Sequence, residues 1–182
     1  PETPRQKMIS MMYLVLTAML ALIVSAAILN GYVAVDDSLH ATIETMNEAN
    51  RDTYRQFQVA LDQNPEKVQV WYDKAMEIRN NSNAFYEYVQ NFKDEMVIEA
   101  EGKEAKKNAT VRELKKQDDT NVPQRYAINE GNAEKLKGAI NDYRDFMIDI
   151  TGDSPAVDEE LRQTFVTPRS VNTSGDSISW EE

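Results

Sequence analysis

The sequence predicts an all-α protein, with one N-terminal transmembrane helix followed by a helical bundle. Three observations predict it. An uncharged apolar run extends from Met8 to Leu29. Beyond it, apolar residues recur at alternating spacings of three and four, the signature of a helix stripe. Alternation of period two is almost absent, so no sheet is expected.

The apolar run defines the first element. At about 1.5 Å per residue it reaches roughly 33 Å, against a bilayer core of about 30 Å. A cleavable signal peptide is the rival reading, with Arg5 and Lys7 as its n-region and Ser25-Ala26-Ala27 as a small-residue site. Signal h-regions are usually about 7–15 residues long, and this run is longer. The cations precede the run and none follows it until Arg51. The positive-inside rule then puts the N-terminus in the cytoplasm and the body outside it, in a bacterium the periplasm. Thr3-Pro4-Arg5-Gln6 is a helix start: Thr3 caps, Pro4 takes the first position and Gln6 completes a capping box.

Several residues of this segment are candidate contacts. Arg5 and Lys7 either snorkel to the headgroups and set topology, or Arg5 pairs with a carboxylate of another membrane protein. Tyr13 lies inside the run, where a phenol needs a hydrogen-bond partner or a place in the aromatic belt. Thr17, Ala21 and Ser25 repeat every fourth residue, a spacing that lets helices approach closely in lipid. No Asp, Glu, Lys or Arg lies between Met8 and Leu29. The segment therefore relays no protons itself, and ion chemistry in the membrane requires a partner.

The body follows as amphipathic helices. The first stripe is Leu39, Ile43, Met46, Asn50, Thr53, Phe57 and Ala60, either continuous with the anchor or bent at Asn30-Gly31. Asn64-Pro65 ends it and caps the next. The second stripe, Val68, Trp71, Ala75, Ile78, Ser82, Phe85, Val89, Phe92 and Met96, is the strongest. The third comprises Ala133, Leu136, Ile140, Tyr143, Met147 and Ile150 and stops at Gly152. Ser154-Pro155 starts a short last helix through Leu161 and Phe165. Residues 101–123 are rich in charge and either extend the second helix or connect it onward. Residues 166–182 suit a loop, with Ile178 and Trp180 docking on the bundle. The division is then 1–7 as cytoplasmic tail and helix start, 8–31 as transmembrane helix, and 32–182 as periplasmic bundle. Three good helices and a short one suggest a fragment of a longer chain.

Composition excludes several functions. The formal net charge is −11, which disfavours nucleic acid and anionic lipid as partners of the body. There is no cysteine and a single histidine, His40. Thiol catalysis and zinc-thiolate sites are excluded, and His40 suits a surface position better than a ligand. No phosphate loop, His-x-x-x-His or EF-hand pattern occurs. No catalytic residue, cofactor or metal site is expected, and an enzyme is the least favoured class.

The order Thr3-Pro4-Arg5-Gln6-Lys7-Met8-Ile9, then Met12-Tyr13-Leu14-Val15, Ala18-Met19-Leu20-Ala21-Leu22 and Val24-Ser25 to Ile28-Leu29-Asn30, resembles the GldM/PorM family. These are inner-membrane proteins of the Bacteroidetes type IX secretion and gliding machinery. The resemblance implies a single-pass anchor, a helical first periplasmic domain, and further β-rich domains that contact outer periplasmic components and are absent from this chain. It also implies a homodimer whose two anchors sit in a ring of a multi-span GldL/PorL-like partner, driven by the proton motive force. Arg5 then pairs with a membrane-embedded glutamate of the ring, Tyr13 is a hydrogen-bonding neighbour, and Lys7 belongs to the same motif. A passive membrane-anchored scaffold and a sensor ectodomain are the competing functions. The scaffold predicts that Arg5 tolerates substitution, and the sensor needs sequence beyond residue 182.

Overall fold

The computed structural model describes residues 3–117, 119, 121–152, 154–171 and 174–180, with the backbone alone over residues 21–27. It is built from long helices. The first, α1 (Pro4–Gln63), has 60 residues and is about 90 Å long. Its start is the expected capping box: Thr3 Oγ1 accepts from the Gln6 N–H at 3.4 Å, and Gln6 Oε1 accepts from the Thr3 N–H at 3.0 Å. No proline follows Pro4 until Pro65, and the helix passes through Asn30 and Gly31 without a break. The apolar run and the body are therefore one element.

Asn64 alone joins α1 to α2 (Pro65–Glu101). Its N–H donates to the Ala60 carbonyl at 3.0 Å, while its Oδ1 accepts from the Lys67 N–H at 3.4 Å. The chain reverses there, and Tyr72 on α2 donates to Gln58 on α1 at 2.8 Å. Gly102 ends α2 at φ +97°, a conformation open to glycine at little cost. Residues beyond it do not extend α2 but form a connection with one 3-10 turn, Val111–Glu113. Next come α3 (Asn121–Pro123) and a π-helical turn, Gln124–Asn129, neither of which the sequence announced. Asp119 starts α3 by accepting from the Asn121 and Val122 N–H groups, and Asn132 closes the π turn on the Tyr126 carbonyl at 2.9 Å.

The third and fourth stripes become α4 (Asn132–Thr151) and α5 (Pro155–Thr164). The central helix is α2, with α1 on one side and α4 on the other. Tyr143 of α4 stacks on Phe85 at 4.6 Å, meets Phe165 edge-on at 5.2 Å, and lies 2.8 Å from the Ser82 hydroxyl. The expectation of no sheet is corrected by a minimal antiparallel pair, β1 (Ser170–Val171) with β2 (Ser177–Ile178). Ile178 is half-buried there and Trp180 remains exposed.

The core is thin. Among the described residues only Val33, Val122, Tyr126 and Ala133 are buried. The stripes on α2 and α4 face inward except for Trp71, which is exposed. On α1 the expected stripe holds only in part. Phe57 and Ala60 are half-buried, but Leu39, Ile43, Met46, Asn50 and Thr53 are exposed. Ile43 and Asn50 line an open groove between α1 and α2, and Leu39, Met46 and Thr53 do not line it. Among the described residues, no helix is long and apolar enough to cross a membrane. Residues 21–27, inside the apolar run, lie outside that statement.

Candidate functional site: the amino-terminal helix and its collar

The continuous α1 fixes how its candidate residues are arranged. At about 100° per residue, Tyr13 lies about 80° round the helix from Arg5 and about 12 Å along it. Lys7 lies about 160° from Arg5, on the opposite face. Arg5 and Tyr13 thus share one side and Lys7 does not. Both cations are exposed, and neither forms an ion pair among the described residues. The Thr17 hydroxyl donates to the Tyr13 carbonyl at 2.8 Å, which satisfies it within an apolar helix. The side chains of Ala21 and Ser25 lie outside the described residues. From Met8 to Leu20 every side chain is exposed, all round the helix. An apolar surface of that kind requires a cover of lipid or protein.

Just past the run, the connection after α2 closes on α1 as a collar. Asp36 Oδ2 accepts from the Val111 N–H at 2.9 Å, and Asp37 pairs with Arg112. The Asp37 hydrogen bond raises the Arg112 pKa above its usual value. His40 is half-buried in this region, with Nδ1 at 3.0 Å from the Asp36 carbonyl oxygen. Glu113 braces the turn by accepting from Lys106, and from the Thr110 N–H at 3.0 Å. These bonds hold its carboxyl at about 2, the Lys106 bond contributing most. Asn108 takes a positive φ of 54° and donates its N–H to Asp94 at 2.7 Å, anchoring the connection to α2. Beyond it, burial raises the Tyr126 phenol pKa, and its bond to Glu95 adds to the effect. The phenol stays a neutral donor.

The collar residues were missed from sequence. Asp36 and Asp37 stand 75 positions before their partners, and only the Thr110-x-x-Glu113 spacing gives a local signal.

A family model described as GldM N-terminal domain matches residues 27–182. The chain belongs to the GldM family. Membership ties it to gliding motility and type IX secretion, and to a membrane-associated place among the other components of that machinery. No curated protein matches the chain. The match covers the GldM-type helical body and its collar. Arg5, Lys7, Tyr13, Thr17, Ala21 and Ser25 all precede it.

Proposed function

We propose that this chain is a non-enzymatic component of a proton-motive-force-driven inner-membrane motor for type IX secretion and gliding. In this reading residues 8–31 span the membrane, with the N-terminus cytoplasmic and the body periplasmic. Two copies sit in a ring of GldL/PorL-like subunits and reach outer periplasmic components through domains beyond residue 182. The observation that carries the reading is the unbroken α1. One rigid element joins Arg5 to the body of a GldM-family domain, so a displacement at the cytoplasmic end reaches Gln63 with no flexible joint.

The energies are compatible. One proton crossing about 150 mV releases roughly 3.5 kcal/mol. Separating a partly buried ion pair is an event of about 3–5 kcal/mol. Protonation of a ring glutamate releases Arg5, the next glutamate captures an arginine, and the pair of anchors turns against the ring. Tyr13 lies on the side of Arg5 and serves as a hydrogen-bonding neighbour, while Lys7 faces away and suits headgroup contact. Thr17, Ala21 and Ser25 form the small-residue stripe for close helix contact.

Arg5→Ala is expected to abolish secretion and gliding while the protein remains inserted at normal abundance. Arg5→Lys keeps the charge, loses the planar fork, and is expected to retain only partial function. Full transport in the alanine variant would reduce Arg5 to a topology signal and return the chain to the passive-scaffold reading.

A further inference from the structure

Between the Asn64 turn and the collar at Asp36, α1 and α2 enclose an open groove of roughly 580 Å³. Asn47, Arg51 and Tyr54 line it from α1, and Arg79, Asn83 and Tyr86 line it from α2. No carboxylate lines it, although the chain carries a net charge of −11. Four other arginines of the body meet acids: Arg55 meets Asp52 at 3.1 Å, Arg144 meets Asp145 at 2.9 Å, and Arg112 and Arg125 pair with Asp37 and Glu99. Arg51 and Arg79 have no carboxylate within 4.0 Å among the described residues. Glu44 and Glu48 line a shallower groove beside Arg51 but stay beyond that distance. Arg79 lies over the Tyr54 ring at 5.1 Å, which orients its guanidinium and leaves the N–H fork without an acceptor.

We propose that this groove binds an acidic peptide segment of a partner protein, with carboxylates on Arg51 and Arg79. Planar guanidinium forks favour carboxylates, and arginine with tyrosine is the composition of binding hot spots. Asn47 and Asn83 supply donors and acceptors for a peptide backbone. The shape favours a chain over a small anion. The lining runs along α1 from Ile43 to Tyr54, about 17 Å, the length of about five extended residues. The groove carries two arginines and no carboxylate within an acidic chain, so its charge is complementary to an acidic segment. This inference is independent of the motor reading.

The test uses the full chain in detergent, titrated with an end-capped hexaglutamate peptide and with hexaglutamine as control. Hexaglutamate is expected to bind with an affinity that falls as salt rises, and hexaglutamine is not. Arg51→Gln with Arg79→Gln is expected to weaken binding at least about tenfold. The melting temperature should fall only slightly, because neither arginine makes an ion pair and only the Arg79 contact with the Tyr54 ring is lost. Asn47→Asp keeps both arginines and is expected to weaken binding similarly, by placing a repelling charge in the groove. Absent hexaglutamate binding, equal binding of hexaglutamine, or an unaffected double variant would overturn the proposal. So would free glutamate binding as tightly as the peptide, which marks a small-anion site. Dissociation of an oligomer in the double variant would overturn it in favour of a second copy as occupant.

Discussion

The Glu113 carboxylate accepts from Lys106 and from the Thr110 N–H, and these contacts hold it at about 2, below its ordinary 4.5. Its folded value is depressed, so its contribution to the collar is complete above about 4.5 and is lost as pH falls towards 2. Protection of the Thr110 amide, its exchange relative to an unstructured peptide at the same pH, is expected to fall over that window, and Lys106→Ala is expected to move the Glu113 carboxyl midpoint up towards 4.5. An unshifted midpoint in that variant would mean that Lys106 does not hold the carboxylate. Both side chains are partly exposed, so added salt should weaken the effect. Legibility at this scale follows sequence separation. Thr3 with Gln6, and Thr110 with Glu113, are local capping pairs that spacing alone reveals. Asp37 with Arg112 is a pair of tertiary origin, and neither residue's neighbours advertise the other. Arg5 and Tyr13 stand out through their motif, and helix geometry adds that they share a side while Lys7 does not.

Helix starts were the most readable elements. Pro4, Pro65 and Pro155 each follow a residue able to cap, and each opens a helix. The π turn at Gln124–Asn129 was not readable, because it depends on Asn132 and Asp119 closing its two sides in space. The β pair is two residues per strand, too short for period two to register. The sequence left Asn30-Gly31 open as a bend, and α1 is continuous there. A Cβ at Gly31 meets nothing within 4 Å, and its φ is ordinary for a helix. Gly31→Ala is therefore expected to stabilise α1 locally by about 0.5–1 kcal/mol. Hydrogen exchange near residue 31 should slow, with transport unimpaired if α1 works as a rigid lever. Slower exchange together with lost transport would identify Gly31 as a required hinge and contradict the rigid element at the centre of the proposed function.

The whole molecule shows more apolar surface than a lone helical bundle keeps in water. The sequence predicted helices correctly, but it could not say which stripes a neighbour within the same chain would cover. Leu39, Ile43 and Met46 look like core by spacing, yet they are exposed. Together with Val35 they lie within about 80° of the helix circumference, a single face that continues the apolar run. A second copy related by two-fold symmetry would bury this face against itself, which agrees with the proposed pair of anchors. In such a pair stability would depend on association, since the single chain buries so few of the described side chains. The melting temperature is expected to rise with protein concentration. Leu39→Glu and Met46→Glu should each remove that dependence and lower the melting temperature by several degrees, at about 2–4 °C per kcal/mol for a chain of this size. Both positions are exposed in the protomer, so a glutamate there costs the isolated fold little. A melting temperature independent of concentration, and unchanged in both variants, would leave this face to a different partner protein or to a membrane surface instead.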